Sequence, residues 1–408
     1  MGKFNNNDNY AIILGKTSTG KNITLYKCFE KSIKFSMNGF YTTVVTANTI
    51  FQGAHFKNKE DITFKEISCR FFNLDEWAWR DGIDIEELPN DEINIKYKHP
   101  PKKSVDINEE YSVEIHSRTQ YPRHSIVQKE ANITQEIYMK ILNKKSNSFR
   151  KLLDQVYHLR NFISLGVGKP VSIKNVFGKT EINKKKREGD FYYPEVKIYY
   201  NRSKSLIEKE KILPQYMLFN LREIQNEFAN ILKNWFDTKK ILSPVINLYF
   251  GTLYNSEMYI EQTFLSLVQA LESYHRRTKK NNEIDPSDHK KRVNSILNDV
   301  DNQYEKWLER KLSYTNEPTL KKRLQEMVDE CEELLNFSSK KKSFIYKVYD
   351  TRNYLTHYDS SLSHRAVKGK DLIDIINKLK IIIEFNLLVE IGFDNKMAFQ
   401  LLKKKHRL

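Results

Sequence analysis

The sequence predicts an α+β chain in which a β-rich N-terminal domain, residues 1–205, precedes an all-helical bundle, residues 210–408. Three observations carry that expectation. Up to about residue 125, short β-rich apolar runs alternate with turn formers. Beyond residue 210 the apolar period lengthens to that of amphipathic helices. The 408 residues also exceed one ordinary core, for which roughly 100–200 residues is usual.

The strand-like runs are 10–14, 23–28, 40–47, 62–71, 93–97 and 111–115. Between the first two, Gly15-Lys16-Thr17-Ser18-Thr19-Gly20-Lys21 matches most of a phosphate-binding loop. However, Asn22 stands where the Mg²⁺-holding Ser or Thr belongs, and Ile23-Thr24-Leu25-Tyr26 continues as a strand instead of opening a helix. The segment is therefore read as a hairpin turn. Residues 147–165 read as a helix because Phe149, Leu152, Leu153, Val156, Leu159 and Phe162 recur at helical spacing and Gly166 follows. After the basic loop Lys184-Lys185-Lys186-Arg187, residues 191–200 return to strand character, which extends the sheet region to about residue 205.

Helices are predicted at 218–237, 255–277, 286–298, 318–336, 341–358, 370–391 and 394–405. In 255–277, Ile260, Phe264, Leu267, Leu271 and Tyr274 form one apolar stripe suited to a bundle. Helix 370–391 is apolar on almost every side, which demands burial on several faces.

The balance of 68 Lys+Arg against 52 Asp+Glu leaves +16, a field that attracts polyanions such as nucleic acid. Cys28, Cys69 and Cys331 are too few and scattered for a disulfide framework or a zinc site. The histidines show no metal-ligand spacing; His55, His116, His124, His158 and His275 read as packing or surface residues, and no cofactor is expected. No signal peptide is visible, and the longest apolar stretch, 381–393, is broken by Glu384, Asn386 and Glu390, so a cytoplasmic protein with no membrane contact is expected.

The chemistry-bearing run is Arg352-Asn353-Tyr354-Leu355-Thr356-His357. Arg352 borders the apolar face made by Phe344, Val348, Thr351 and Leu355, and His357 falls on the opposite side. One account is structural: Arg352 pairs with Glu272 on a neighbouring helix and His357 favours the helix end through the dipole. The other is chemical. A His can move the proton of a ribose 2′-OH near neutral pH, while an Arg fork stabilises the phosphoryl oxygens. Five residues on one helix separate the two side chains by about 140°, so the site requires either a bend near His357 or a second copy of the motif. Tyr346, Tyr349, Tyr354 and Tyr358, with Arg276, Arg277 and Lys341 nearby, supply the aromatic and cationic groups that suit unstacked RNA.

Asp350-Thr351-Arg352-Asn353-Tyr354-Leu355-Thr356-His357-Tyr358 resembles the R-N-x-x-x-H signature of ApeA-like HEPN domains, and 264–274 resembles the family's early helix. Phe51-Gln52-Gly53-Ala54-His55-Phe56 and Phe71-Phe72-Asn73-Leu74-Asp75-Glu76-Trp77 resemble motifs of the ApeA leading domain. The resemblance implies a homodimeric, metal-independent anti-phage endoribonuclease acting on RNA, with tRNA as a target. It implies catalytic roles for Arg352 and His357, with Asn353 assisting and Glu272 and Tyr358 supporting. The leading domain would meet a phage-derived trigger, with His55, Asn73, Asp75 and Trp77 as the residues to examine. The competing expectation is a helical RNA-binding or adaptor protein of the same fold that does not cut.

Overall fold

The computed structural model describes residues 9–35, 41–122, 129, 131–200, 211–335, 337 and 340–406. His124, residues 1–8 and the boundary expected at 205–210 lie outside the described residues. The β-rich region followed by helices is the α+β arrangement expected. Two compact units comprise Met1–Lys233 and Asn234–Leu408.

In the first unit, β1 (Asn9–Lys16), β2 (Asn22–Phe35), β3 (Tyr41–Gln52) and β4 (Thr63–Phe71) are followed by α1 (Leu74–Ala78) and by β5 (Ile83–Leu88) and β6 (Glu92–Tyr97). Then come β7 (Lys103–Asp106), β8 (Tyr111–Gln120), β9 (Thr134–Ser148), α2 (Phe149–Val167), β10 (Ile173–Lys179), β11 (Lys185–Arg187), β12 (Asp190–Tyr192) and β13 (Val196–Tyr200). Nine strands form one antiparallel sheet in the order β1-β2-β3-β13-β10-β4-β9-β8-β7, while β5–β6 and β11–β12 are separate hairpins. The Gly15–Lys21 segment is indeed the β1–β2 turn, closed by Thr17 N–H donating to Lys21 O at 2.8 Å, with Gly20 at φ 80°.

Alternation along the central strands gives the sheet two unlike faces. Ile67, Cys69 and Phe71 of β4, Ile137, Met139 and Ile141 of β9, and Val113 and Ile115 of β8 are buried on the face bearing α2. Leu152, Val156, Leu159, Phe162 and Ile163 supply the helix side, each such burial contributing about 1.5–3 kcal/mol. Helix α2 runs past the expected stop at Gly166. A Cβ there would collide with Trp77 and Phe219, so Gly166 is a packing residue, and Gly168 at φ 76° ends the helix. The opposite sheet face is charged: Lys140 lies 3.2 Å from Glu114 and 3.5 Å from Glu66, and Arg118 stacks on Tyr138 and Phe177. Burial, then the nearby Lys140 and Arg118, pushes the His116 imidazole down to about 3.

Asp75 pairs with Arg70 at 2.7 Å and accepts from Ile137 N–H at 2.7 Å, joining α1 to the sheet. Asn73 takes a left-handed backbone and accepts from Ile212 N–H, Trp77 is fully buried, and a His55 ring nitrogen bonds Gly15 O at 2.7 Å. Asp75, Asn73, Trp77 and His55 are thus all built into the fold of the unit.

The helices are α3 (Phe228–Tyr254), α4 (Ile260–Thr278), α5 (Pro286–Asn298), α6 (Asn302–Leu312), α7 (Leu320–Glu330), α8 (Glu332–Leu335), α9 (Lys341–His357), α10 (Gly369–Glu390) and α11 (Asn395–His406). The division between units falls within α3. The first expected helix, 218–237, is corrected. Residues 221–227 form turns, stabilised by reciprocal 3.0 Å bonds between the Asn220 and Glu223 side chains and backbone, and the helix runs from 228 to 254 through Pro244. Leu242, Val245, Ile246, Tyr249 and Phe250 continue the buried stripe beyond the proline, so tertiary packing outweighs the lost helix bond. Helix α6 is absent from the expected helices; like α5, which was expected, it buries no residue.

Helix α4 packs against α7, α9 and α10. Helix α10 is buried on several faces as expected, through Leu372, Ile375, Ile376, Leu379, Ile382, Phe385 and Leu388 among others. Its buried Glu384 accepts from Tyr249 on α3, from Lys405 at 2.7 Å and from a ring nitrogen of His406 at 2.8 Å on α11. No helix among the described residues is long and apolar enough to cross a membrane.

Candidate functional site

The site is built on α9. Phe344, Ile345, Val348, Thr351 and Leu355 face the bundle, spaced at the helical period, and the helix runs without interruption through Arg352 to His357. It ends because Tyr358 turns left-handed, at φ 51° and ψ 32°, with its N–H donating to Tyr354 O at 2.6 Å. The bend near His357 that would bring the two side chains together is therefore absent. Buried Thr351 accepts from Val367 N–H at 2.9 Å, which fastens the loop after the motif back onto the helix.

Arg352 is half-buried at the edge of the packed face. Its Nη1 donates to Asn353 Oδ1 at 3.2 Å, and among the described residues it has no carboxylate partner. Glu272 pairs instead with Arg276, at 3.6 Å on its own helix, which corrects the expectation that it holds Arg352. His357 is exposed at the helix end, beside Asp359. The Asp359 carboxyl is held below its ordinary value by hydrogen bonds from Ser361, with His357 adding to the effect. At about 100° per residue, His357, Asn353, Tyr349, Tyr346 and Lys342 share the outward face of α9, and Arg352 lies on its flank about 140° from His357.

Around the motif, Tyr354 and Tyr358 meet edge to face at 5.6 Å, Tyr358 is exposed, and the Lys368 ammonium lies 5.3 Å from the Tyr354 ring. The Lys321 ammonium sits 4.0 Å from the Tyr346 ring and 4.2 Å from the Tyr349 ring. Three cations expected near RNA already have partners in the chain. Arg276 pairs with Glu317 at 2.7 Å, Arg277 donates to Ile241 O at 3.1 Å, and Lys341 bridges Asp329 at 2.7 Å and Glu332 at 2.6 Å. Those hydrogen bonds raise the Lys341 ammonium above its ordinary value.

Sequence reasoning missed the buried network between α4 and α7. Arg323, fully buried, donates to His275 Nδ1 at 3.0 Å and to Pro318 O at 3.0 Å. His275, 0% exposed, therefore presents its other nitrogen as the donor to Glu326 at 2.7 Å. The signal was an Arg among the buried positions Arg323, Leu324, Met327 and Val328 of an amphipathic helix. Among the described residues, no three His, Cys, Asp or Glu side chains are grouped to hold a metal ion.

Comparison with known families adds two matches. The ApeA N-terminal domain 1 matches residues 1–235, more than half of the chain, and the Apea-like HEPN domain matches 265–397, which includes α9 and the R-N-x-x-x-H run. Searches of curated proteins and of solved structures found no match. The chain belongs to the ApeA-like HEPN proteins, at the family level HEPN-type anti-phage nucleases.

Proposed function

We propose that this protein is a metal-independent endoribonuclease whose active centre is completed by two copies of α9, with Arg352 from one copy and His357 from the other facing one scissile phosphate. The observation that carries the reading is the state of Arg352. An edge guanidinium with no carboxylate partner among the described residues keeps its donor fork available to phosphoryl oxygens, on the same unbroken helix that ends in an exposed His.

In this reading His357 takes the proton of the ribose 2′-OH and the 2′ oxygen bonds to phosphorus. The bond from phosphorus to the 5′ oxygen then breaks, and that oxygen receives a proton. Atoms balance as a transesterification giving a 2′,3′-cyclic phosphate and a 5′-hydroxyl. Arg352 holds the charge that gathers on the phosphoryl oxygens, and Asn353, bonded to Arg352, orients the fork. Tyr354 and Tyr358 offer ring faces to unstacked bases. We assign tRNA as the target and the N-terminal unit as the place where a phage-derived trigger acts.

The test is incubation of the purified full chain with total bacterial RNA in EDTA, with both product ends mapped. Discrete cuts ending in cyclic phosphate, concentrated in tRNA, are expected. Cuts that require added divalent metal, or that leave 3′-hydroxyl ends, would overturn the reading.

A further inference from the structure

The chain between the paired strands β10 and β13 forms the β11–β12 hairpin, a small sheet of its own. Its base is held by the Asn183 side-chain amide, which donates to Pro194 O at 3.0 Å and to Gly53 O at 3.4 Å. Glu188 at φ 51° and Gly189 at φ 94° close the turn, and a Cβ at Gly189 would meet nothing within 4 Å. The tip therefore projects into solvent on a fixed stem.

The register sorts its side chains onto two unlike faces. Lys186 lies opposite Phe191, Lys185 opposite Tyr192 and Arg187 opposite Asp190. Alternation then puts Lys184, Lys186, Phe191 and Tyr193 on one face, and Lys185, Arg187, Asp190 and Tyr192 on the other. The contacts agree with that division: the Lys184 ammonium lies 4.0 Å from the Phe191 ring and 5.8 Å from the Tyr193 ring. The first face thus joins two ammonium groups to two rings and carries no carboxylate. Phe191 is 59% exposed, and Lys184 and Lys186 are exposed with no ion pair among the described residues. Arg187, on the second face, pairs with Glu188 at 3.6 Å.

We infer that the first face of the β11–β12 hairpin binds a single-stranded stretch of RNA, with Phe191 stacking on an unpaired base and Lys184 and Lys186 neutralising the phosphates beside it. Charge complementarity selects the occupant. Lys184, Lys185, Lys186 and Arg187 against Glu188 and Asp190, four minus two, leave the hairpin at +2 in a chain of +16. Exposed ring faces flanked by ammonium groups meet the two needs of an unstacked strand, base stacking and phosphate neutralisation. An anionic membrane would attract the same cations but asks for a broader apolar face than two rings. The choice of RNA rests on the ribonuclease reading proposed above, whereas the site itself lies in the N-terminal unit and uses no residue of α9.

The test is fluorescence anisotropy of a labelled single-stranded RNA with the full chain carrying His357→Ala, in EDTA, so that the strand stays intact. Against that parent, Phe191→Ala is expected to weaken binding about tenfold and Phe191→Trp to retain it. Tyr192→Ala, on the opposite face, should change it by less than about twofold. Lys184→Ala combined with Lys186→Ala should lower the slope of log affinity against log salt by about 1.4, two phosphates at about 0.7 each. A duplex of the same sequence should respond little to Phe191→Ala, because its bases are already stacked. Equal affinity in the parent and Phe191→Ala, equal losses in Phe191→Ala and Tyr192→Ala, or no binding by the parent would overturn the inference. So would a Phe191→Ala variant that binds RNA as the parent does but loses binding to phosphatidylserine vesicles, which would assign the face to a membrane. Cleavage by the unsubstituted chain is scored separately, and its absence beside Phe191-dependent binding would count against the ribonuclease reading alone.

Discussion

Arg352→Ala and His357→Ala are each expected to lower RNA cleavage on the order of a thousandfold while leaving the thermal midpoint within a few degrees of wild type. The size follows from the roles: removing a general acid or base costs roughly 10²–10⁴, and removing a preorganised charge at a developing oxyanion roughly 10²–10³. The preserved fold follows from the contacts. His357 is exposed, and Arg352 gives up one 3.2 Å bond to Asn353, with no ion pair among the described residues to orphan. Cleavage rates and melting curves on the same samples decide the point. Unfolding of Arg352→Ala would make the residue structural, as a non-cutting adaptor requires, and full activity in either variant would remove that residue from the site.

Glu384→Ala is expected to destabilise the helical unit by about 3–5 kcal/mol, because it leaves Lys405, His406 and the Tyr249 hydroxyl without their shared acceptor in the interior. The carboxyl resists neutralisation. Burial pushes its pKa up, but the Lys405 ammonium and the bond from His406 overcome that and hold it at about 2, against an ordinary 4.5. With the folded value depressed, the unfolded chain protonates first as the pH falls. Its contribution, about 3 kcal/mol, is thus full above pH 4.5 and disappears by about pH 2. Chemical denaturation at pH 7 and pH 3 checks both statements. Wild type should lose more stability between these pH values than Glu384→Gln, and equal losses would show that the carboxyl does not carry the acid response.

Local pattern reached most of the helical unit. The stripes of α4, α9 and α10 are long and periodic, and the R-N-x-x-x-H run lies whole on one of them. What escaped was non-local. Glu384 reads in the sequence only as a break in an apolar stretch, since its partners Tyr249 and Lys405 lie 135 and 21 positions away. The tie between Arg323 and His275 spans 48 positions, whereas the pairing of Glu272 with Arg276 is a local i,i+4 contact that the helical spacing allows. In the N-terminal unit β9 was missed although Ile137, Met139 and Ile141 alternate, because Glu136, Met139, Lys140 and Leu142 are also good helix formers. Its strand state is enforced by pairing with β4 and β8 on either side.

Whether one active centre is shared between two copies is tested most directly by mixing. Arg352→Ala and His357→Ala proteins, each inactive alone, are combined under conditions that let subunits exchange, and RNA cleavage is followed with time. If one site takes Arg352 from one copy and His357 from the other, half of the randomly paired dimers are mixed and each retains one of two sites, so about a quarter of wild-type activity should return. A mixture that exchanges subunits yet stays as inactive as its components would contradict the shared site.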